Sequence, residues 1–387
     1  MSKIDNLIHN IYQNPVPYKR IGELCDISRG IVMSKDFIRE NEGSYPVYSS
    51  QTENNGELGK IKTYMFDGEY LTWTTDGANA GSVFYRQGKF SVTNVCGLLE
   101  VTDKSISTKF LYYVLQIAAK RFVNRGMGNP KLMSNVMSSI PVPVPPMEVQ
   151  DEIVRILDNF TELTAELTAE LTARKKQYEF YKNKLFDGID AKFNTKLGDF
   201  ASIVRGGNFQ KSDFVDSGFP CIHYGQIYTH FGISTESVIK YLPKRIFDES
   251  KKANYSDIIM AITSENIEDV CKCVTWLGNE EIAVSAHTAI IKHNQNPKFL
   301  SYFFHTNRFF NQKVKLAHGT KVIEVTASTL GNVEIPLVDI KAQEQIVKKL
   351  DAFDNHCNDI SKGLPAEIEA RKKQYEYYRE EIFSLLN

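Results

Sequence analysis

The sequence predicts an α+β protein in which two similar α/β domains alternate with two long helical regions, related by an internal, circular pseudo-two-fold. Three repeats predict it. Ala173-Arg-Lys-Lys-Gln-Tyr-Glu179 returns unchanged as Ala370-Arg-Lys-Lys-Gln-Tyr-Glu376. Upstream of these, Gln150-Asp-Glu-Ile-Val-Arg-Ile-Leu-Asp158 answers Gln343-Glu-Gln-Ile-Val-Lys-Lys-Leu-Asp351. At the start of each half, Ile21-Gly22-Glu23-Leu24 followed by Arg29-Gly30 answers Leu197-Gly198-Asp199-Phe200 followed by Arg205-Gly206. A period of half the chain is too long for a solenoid unit and suits a duplicated domain-plus-helix module.

Residues 1–17 form an N-terminal segment that reads as a short amphipathic helix over 2–13. Ile4, Leu7, Ile8 and Ile11 share one face, and Asn14-Pro15-Val16-Pro17 ends it. The circular plan places it near the C-terminus. Residues 18–144 are the first domain. Glu69–Thr75 and Gly81–Arg86 read as strands around the Asp76-Gly77 turn, and Phe110–Phe122 as a helix leading into a basic, glycine-containing loop, Lys120–Lys131.

Residues 145–190 are the central helical region, followed by a connector over 187–196. Ile153, Leu157, Phe160, Leu163, Leu167, Leu171, Tyr178 and Leu185 fall at three-, four- and seven-residue steps, predicting one helix over 147–186. Unbroken, it spans about 60 Å. Thr164-Ala-Glu-Leu167 repeats at once as Thr168-Ala-Glu-Leu171, and a four-residue period makes the apolar seam drift.

Residues 191–338 are the second domain. Gly218–Tyr228 and Asp257–Glu265 are strand candidates, and Pro297–Gln312 is the counterpart helix before a second basic loop, Lys313–Lys321. Residues 339–387 are the second helical region, broken at Gly363-Leu-Pro365. Proline-bearing boundaries, Ile140–Pro146 and Ile335-Pro336, precede both helical regions.

Composition excludes several classes. A net charge of −1 argues against a strongly basic, dedicated DNA binder unless the basic residues are local. The six scattered cysteines read as free thiols rather than a zinc set or disulfides. No apolar run reaches membrane-span length and the first residues lack a signal peptide's apolar core, so the expected compartment is the cytoplasm. There is no Walker A loop, dinucleotide fingerprint, His-Glu-x-x-His or nucleophile elbow, so no catalytic residue and no metal site is assigned.

The duplicated Gln-(x)2-Ile-Val-(x)2-Leu-Asp and Arg-Lys-Lys-Gln-Tyr-Glu segments, each behind a proline-bearing edge, resemble the specificity subunit of type I restriction–modification systems over essentially the full length. The Thr-Ala-Glu-Leu tandem is similar to a central repeat of one branch of that family. The resemblance implies two target recognition domains, each reading one half of a split double-stranded DNA sequence, held apart by antiparallel helical spacers. It implies two methyltransferase subunits and outer restriction/motor subunits as partners. S-adenosylmethionine, ATP and Mg2+ then belong to those partners, and this chain binds no cofactor of its own and no membrane. The two domains differ in sequence, so the two half-sites should differ as well.

Candidate DNA-binding residues in the two loops are Arg125, Asn129 and Lys131, then Lys315, His318, Thr320 and Lys321. Arg and Lys contact guanine edges or phosphates, and Asn pairs with adenine. Polar residues at strand ends add Thr74, Thr75, Asp76, Asn79, Tyr85 and Arg86 in the first domain. In the second they add His223, Tyr224, Gln226, Ser264, Glu265, Asn266 and His287. Arg29 and Arg205, at equivalent places before glycine, suit a shared phosphate contact or a structural role. The repeated motif supplies partner-binding candidates: Arg174, Lys175, Gln177, Tyr178, Tyr181, Arg371, Lys372, Gln374, Tyr375 and Tyr378. Helical spacing also suits the four tyrosines to a helix–helix core. The competing reading is a coiled-coil adaptor with two protein-binding domains. A repressor-like binder acting alone ranks below both, because no helix-turn-helix signature is present.

Overall fold

The computed structural model describes residues 16–126, 128–358 and 362–386. The expected helix over 2–13 lies outside the described residues. The chain divides into two compact units, one ending at Leu167 and resuming at Ile368, the other spanning Thr168–Glu367.

The first unit contains β1 (Tyr18–Arg20), β2 (Cys25–Arg29), β3 (Glu42–Tyr48), β4 (Glu57–Ile61), β5 (Phe66–Thr74), β6 (Val83–Val92) and β7 (Cys96–Val101). Helix α1 (Thr108–Arg121), β8 (Pro141–Pro143) and the start of helix α2 (Met147–Asp187) follow. The sheet order is β2-β7-β5-β6-β3-β4, antiparallel except for β3 beside β6. One sheet face buries Leu71, Trp73 and Leu99 with Phe110, Leu111 and Val114 of α1, and with Ile153 and Leu157 of α2. The other face buries Phe90, Val92 and Leu98. Covered on both faces, the sheet buries Thr72 and Thr74 of β5 and Arg86 of β6, while Asp67, Glu69, Gln87 and Lys89 toward the other end of the β5–β6 pair stay exposed.

The second unit contains β9 (Asn194–Lys196), β10 (Ser202–Arg205), β11 (Phe219–Ile222), α3 (Tyr224–Thr229), β12 (Ser234–Thr235), β13 (Lys240–Leu242), β14 (Lys252–Ala253), β15 (Ile258–Ala261), β16 (Thr263–Ser264) and β17 (Cys273–Trp276). It continues with β18 (Ile282–Val284), β19 (Thr288–Lys292), α4 (Pro297–Phe304), α5 (Asn307–Leu316), β20 (Ile323–Glu324), β21 (Glu334–Pro336) and α6 (Ile340–Asn358). The final helix, α7 (Leu364–Leu385), begins within the expected break, directly after Gly363, with Pro365 in its first turn, where the missing N–H costs nothing.

The order β10-β19-β15-β17 repeats β2-β7-β5-β6. The difference lies in β6. In the first unit this single long strand pairs with β5 and also with the parallel β3. In the second unit the same two tasks fall to separate strands, β17 beside β15 and β18 beside the parallel β11.

The proline-bearing boundaries do the same job in both units. β8 pairs antiparallel with β1, and β21 pairs antiparallel with β9. In the first unit Tyr18 also donates its hydroxyl to the Leu386 carbonyl at 3.1 Å.

Helix α2 runs unbroken through both Thr-Ala-Glu-Leu units. Leu163, Leu167 and Leu171 are half-buried, and the Thr164 and Thr172 hydroxyls return to the Phe160 and Thr168 carbonyls. Aromatic stacking fixes the helices within each unit: Phe160 on Tyr378 at 5.6 Å, and Tyr181 on Phe353 at 5.8 Å.

Three expected elements differ. Asp257–Glu265 is not one strand but divides into β15 and β16, which belong to separate sheets. Pro297–Gln312 is not one helix. Thr306 accepts the Phe309 N–H and starts α5 afresh. Gly218–Tyr228 is not one strand either. The His223 ring accepts the Gly225 N–H while Gln226 accepts the His223 N–H, a reciprocal cap that opens α3.

Candidate nucleic-acid interface

In the first unit the basic loop folds back as a small hairpin. Asn124 and Lys131 exchange backbone hydrogen bonds at 2.9 and 3.0 Å. Gly77 donates to the Pro130 carbonyl and Leu132 to the Thr75 carbonyl, fastening the hairpin to the end of β5. Asp76, Asn79, Arg125, Asn129 and Lys131 thereby come to one edge, and all but the half-buried Asp76 are exposed.

The second unit builds the same device. His318 and Glu324 exchange backbone hydrogen bonds at 3.0 and 2.8 Å, and Val325 donates to the Ile262 carbonyl. β20 pairs with β16, bringing Ser264 to the hairpin. Thr75 donates to the Val95 carbonyl as Ile262 donates to that of His287. These bonds place Asn124 opposite His318, and Lys131 opposite Glu324, in equivalent positions. The two hairpins therefore differ in charge at a shared position. One ends on Lys131, the other on Glu324.

Around the second hairpin, the His287 ring meets the Thr263 hydroxyl at 3.1 Å and the Tyr224 ring at 5.1 Å. Lys315, His318, Thr320 and Lys321 are exposed. Lys313, which opens this loop in the sequence, is buried. Its ammonium donates to the Glu268 and Val270 carbonyls, tying down the loop after β16, and burial lowers its pKa. Arg29 donates to the Ser134 hydroxyl at 3.2 Å, beyond the first hairpin, and Arg205 to the Ala286 carbonyl at 3.1 Å, beside His287. Among the described residues no three His, Cys, Asp or Glu side chains gather as metal ligands, and all six cysteines are free and buried.

A family model described as the type I restriction modification DNA specificity domain matches residues 15–174 and 192–370. A type I specificity subunit of Mycoplasma pneumoniae is 34% identical over 379 residues, covering 94% of this chain and 96% of that one. The chain belongs to the type I restriction–modification specificity family. Two solved structures share the fold. The S subunit from M. genitalium matches with a TM-score of 0.56 at 15% identity, covering 96% of this chain and 97% of that one. A chain from a structure on complex assembly and conformational transition of the type I system matches with a TM-score of 0.59 at 14% identity, covering 96% and 98%.

In this specificity subunit several expected contact residues are buried. The Thr74 hydroxyl donates to the Asn79 carbonyl and that of Thr75 to the Val95 carbonyl, so both serve turns. Arg86 is 2% exposed because the sheet is covered on both faces. The Tyr85 hydroxyl is held by Glu69 at 2.5 Å, and its ring packs toward α1. His223 and Gln226 are buried in their reciprocal cap. Burial, with Lys211 and His287 nearby, lowers the His223 pKa to about 4, so this ring is neutral at pH 7. The Asn266 amide is engaged by Asp269 at 2.8 Å, while Glu265 stays exposed.

The repeated helical motif also divides. Tyr178 is 5% exposed within the second unit's core, and Tyr375 donates to Gln116 of α1 at 3.1 Å. Tyr181 and Tyr378 spend a ring face on stacking. Arg174, Lys175, Lys372 and Gln374 are exposed, Gln177 and Arg371 half-buried. Arg174 and Arg371 each donate to the Gln three residues on.

Ser49–Gly56 holds none of the contact residues expected from the sequence. Thr93 donates to the Tyr48 carbonyl as Ser285 donates to that of Ile222. The stretch after Tyr48 is thus the counterpart of the one holding His223 and Tyr224. Its only signal in the sequence is Asn54-Asn55-Gly56, a turn signature.

Proposed function

We propose that this specificity subunit reads a bipartite, asymmetric duplex DNA site, with one half-site assigned to each unit's hairpin edge. The observation that carries this reading is the duplicated hairpin with opposite charge at equivalent positions, Lys131 and Glu324. Shared backbone geometry suits a shared docking mode, and unlike side chains suit unlike half-sites. In this reading Arg29, Arg205, Arg125, Lys131, Lys315 and Lys321 contact phosphates or guanine edges, and Asn79, Asn129, His287, His318 and Thr320 contact bases.

The chain itself is non-catalytic and holds no cofactor. Methyl transfer, using S-adenosylmethionine, and ATP- and Mg2+-dependent cleavage belong to two methyltransferase subunits and to restriction/motor subunits. The exposed residues of the repeated motif, Arg174, Lys175, Lys372 and Gln374, are the surface offered to the methyltransferases. Helix α2 sets the spacer between half-sites, and the complex works in the cytoplasm. The test is a gel shift of the chain with and without its methyltransferase partner, on a library with two randomised half-sites. Partner-dependent selection of a split site is expected. Absence of DNA affinity in both conditions overturns the reading and favours an adaptor of proteins.

A further inference from the structure

The two units handle the chain after their parallel strand pair differently. In the second, His223 caps α3. In the first, Ser49–Gly56 forms a tight turn in which two consecutive non-glycine residues are left-handed, Asn54 at φ 48°, ψ 43° and Asn55 at φ 53°, ψ 30°. Only glycine enters this region freely, and asparagine tolerates it best among the rest. Such a pair persists where its surroundings over-determine it, and strain of this kind clusters at ligand sites.

The surroundings are specific. Ser49 donates its N–H to the Gly56 carbonyl at 3.0 Å and accepts the Thr93 hydroxyl at 3.0 Å. The Gln51 amide donates to the Glu57 carbonyl. The Asn79 amide donates to the Thr52 hydroxyl at 3.0 Å, joining this turn to the Asp76–Gly77 turn and through it to the Asn124–Lys131 hairpin. Beneath lies Arg86. Gly56 closes the turn at φ 79°, where any side chain would be strained and its Cβ would sit 3.0 Å from the Arg86 Nη2.

The Arg86 Nε donates to Thr72 at 3.0 Å, and the guanidinium lies 3.5 Å from the centre of the Tyr48 ring. Its two terminal nitrogens are buried without a hydrogen-bond acceptor. A buried cation lacking an anionic partner leaves its field on whatever approaches the turn, and that field favours a polyanion. Above it, the Asn54 and Asn55 side chains are exposed and make no hydrogen bond among the described residues.

We propose that Asn54 and Asn55 form a second base-reading element of the first unit, directed at adenine. An Asn carboxamide donates to adenine N7 while accepting from N6, a pairing that no other base edge in the major groove offers. The fixed backbone presents both amides without the ordering cost of a flexible loop. Arg86 acts as a positioning residue, supporting the turn from below. This inference rests on the DNA-reading function proposed above and names the chemistry of one further contact.

The test uses the full chain assembled with its methyltransferase partner, acting on a plasmid library randomised in both half-sites. The double variant Asn54→Gly, Asn55→Gly keeps the left-handed backbone and removes both amides. Discrimination at one or two adenine positions of a single half-site should fall by about tenfold or more, with the other half-site and the melting temperature unchanged. Because glycine also frees the backbone of the turn, the isosteric variant Asn54→Asp, Asn55→Asp serves beside it. A carboxylate accepts from the cytosine amino group and cannot donate to N7, so those same positions should shift from adenine toward cytosine. The inference is overturned if both variants select the wild-type motif with wild-type stringency. It is equally overturned if both lose methylation at every sequence while keeping the wild-type melting temperature. A wild-type complex that selects no split site at all would instead sink the proposed function, a result distinguishable from either.

Discussion

The side-chain carbonyl of Gln150 accepts the backbone N–H of Ser107 at 2.8 Å, and Gln343 accepts that of Asn296 at 3.0 Å. Ser107 and Asn296 are the N-caps of α1 and α4. Two turns further along each repeat, Asp158 takes the Tyr113 hydroxyl and the Lys109 ammonium, both at 2.6 Å. Asp351 takes the Tyr302 hydroxyl at 2.7 Å and the Lys298 ammonium at 2.6 Å. The duplicated sequence is therefore a clamp that grips the domain helix of its own unit at the cap and one turn in. It fixes the sheet, and with it the hairpin edge, against the helical region.

Breaking this clamp should be costly in one unit at a time. The amide of the buried Gln150 also donates to the Ser105 and Pro145 carbonyls at 2.8 Å. Gln150→Leu strands these groups and should destabilise the first unit by about 2 kcal/mol. The two tryptophans separate the readouts, since Trp73 is buried in the first unit and Trp276 in the second. Denaturant unfolding followed by Trp73 should shift in Gln150→Leu, and by Trp276 in Gln343→Leu. Equal shifts of both signals in either variant would contradict the assignment.

The repeats were legible because identical residues recur, and so were α2 and the two basic loops. What the repeats do was not, since Gln150 and Ser107 stand 43 positions apart and Gln343 and Asn296 47 apart. The shared four-strand order was hidden too, because β6 is one strand where its counterpart is two, and periodicity carries no trace of that split. Arg86 looked available because a strand's alternation cannot say that both sheet faces are covered. Asn54-Asn55-Gly56 announces a turn, but only the paired bonds of Thr93 and Ser285 reveal it as the counterpart of His223-Tyr224.

Mild acid should weaken the second unit selectively. Burial lowers His223 and His305 to about 4 and depresses His293 as well. Histidines among the described residues all fall in the second unit. Below pH 6.5 the unfolded chain binds protons that these buried rings refuse, so stability is full above that pH and is lost as pH falls toward 4. The expected loss at pH 5 is about 1–2 kcal/mol per strongly shifted ring. In a Trp73→Phe background, the Trp276 unfolding midpoint should drop between pH 7.5 and 5, and His305→Asn should flatten the dependence. A pH-independent midpoint counts against it.

The unlike hairpin ends make a salt-dependence prediction. Lys131→Ala should lower the slope of log affinity against log salt by about one unit. Glu324→Lys should raise it by about one unit, because it adds a cation where the first unit already has one. Affinities of the assembled complex measured between low and physiological salt decide it. Slopes matching wild type in both variants would remove these side chains from the interface.

Deleting Thr168–Leu171 tests the spacer role of α2. The helix is continuous through both Thr-Ala-Glu-Leu units, so the deletion shortens it by about 6 Å and turns its far end by about 40°. One base pair advances about 3.4 Å and turns about 35°. Rotation therefore calls for one base pair fewer in the spacer, and rise for nearer two. Rotation should govern, because a reader facing the wrong side of the duplex meets backbone instead of base edges, whereas a small tilt absorbs a few Å. The half-buried leucines at 163, 167 and 171 are interchangeable in register, so the deletion variant should fold and keep both half-sites. Mapping of methylated sites should show the two halves unchanged and the gap one base pair shorter. A gap of unchanged length would mean that α2 does not measure the distance.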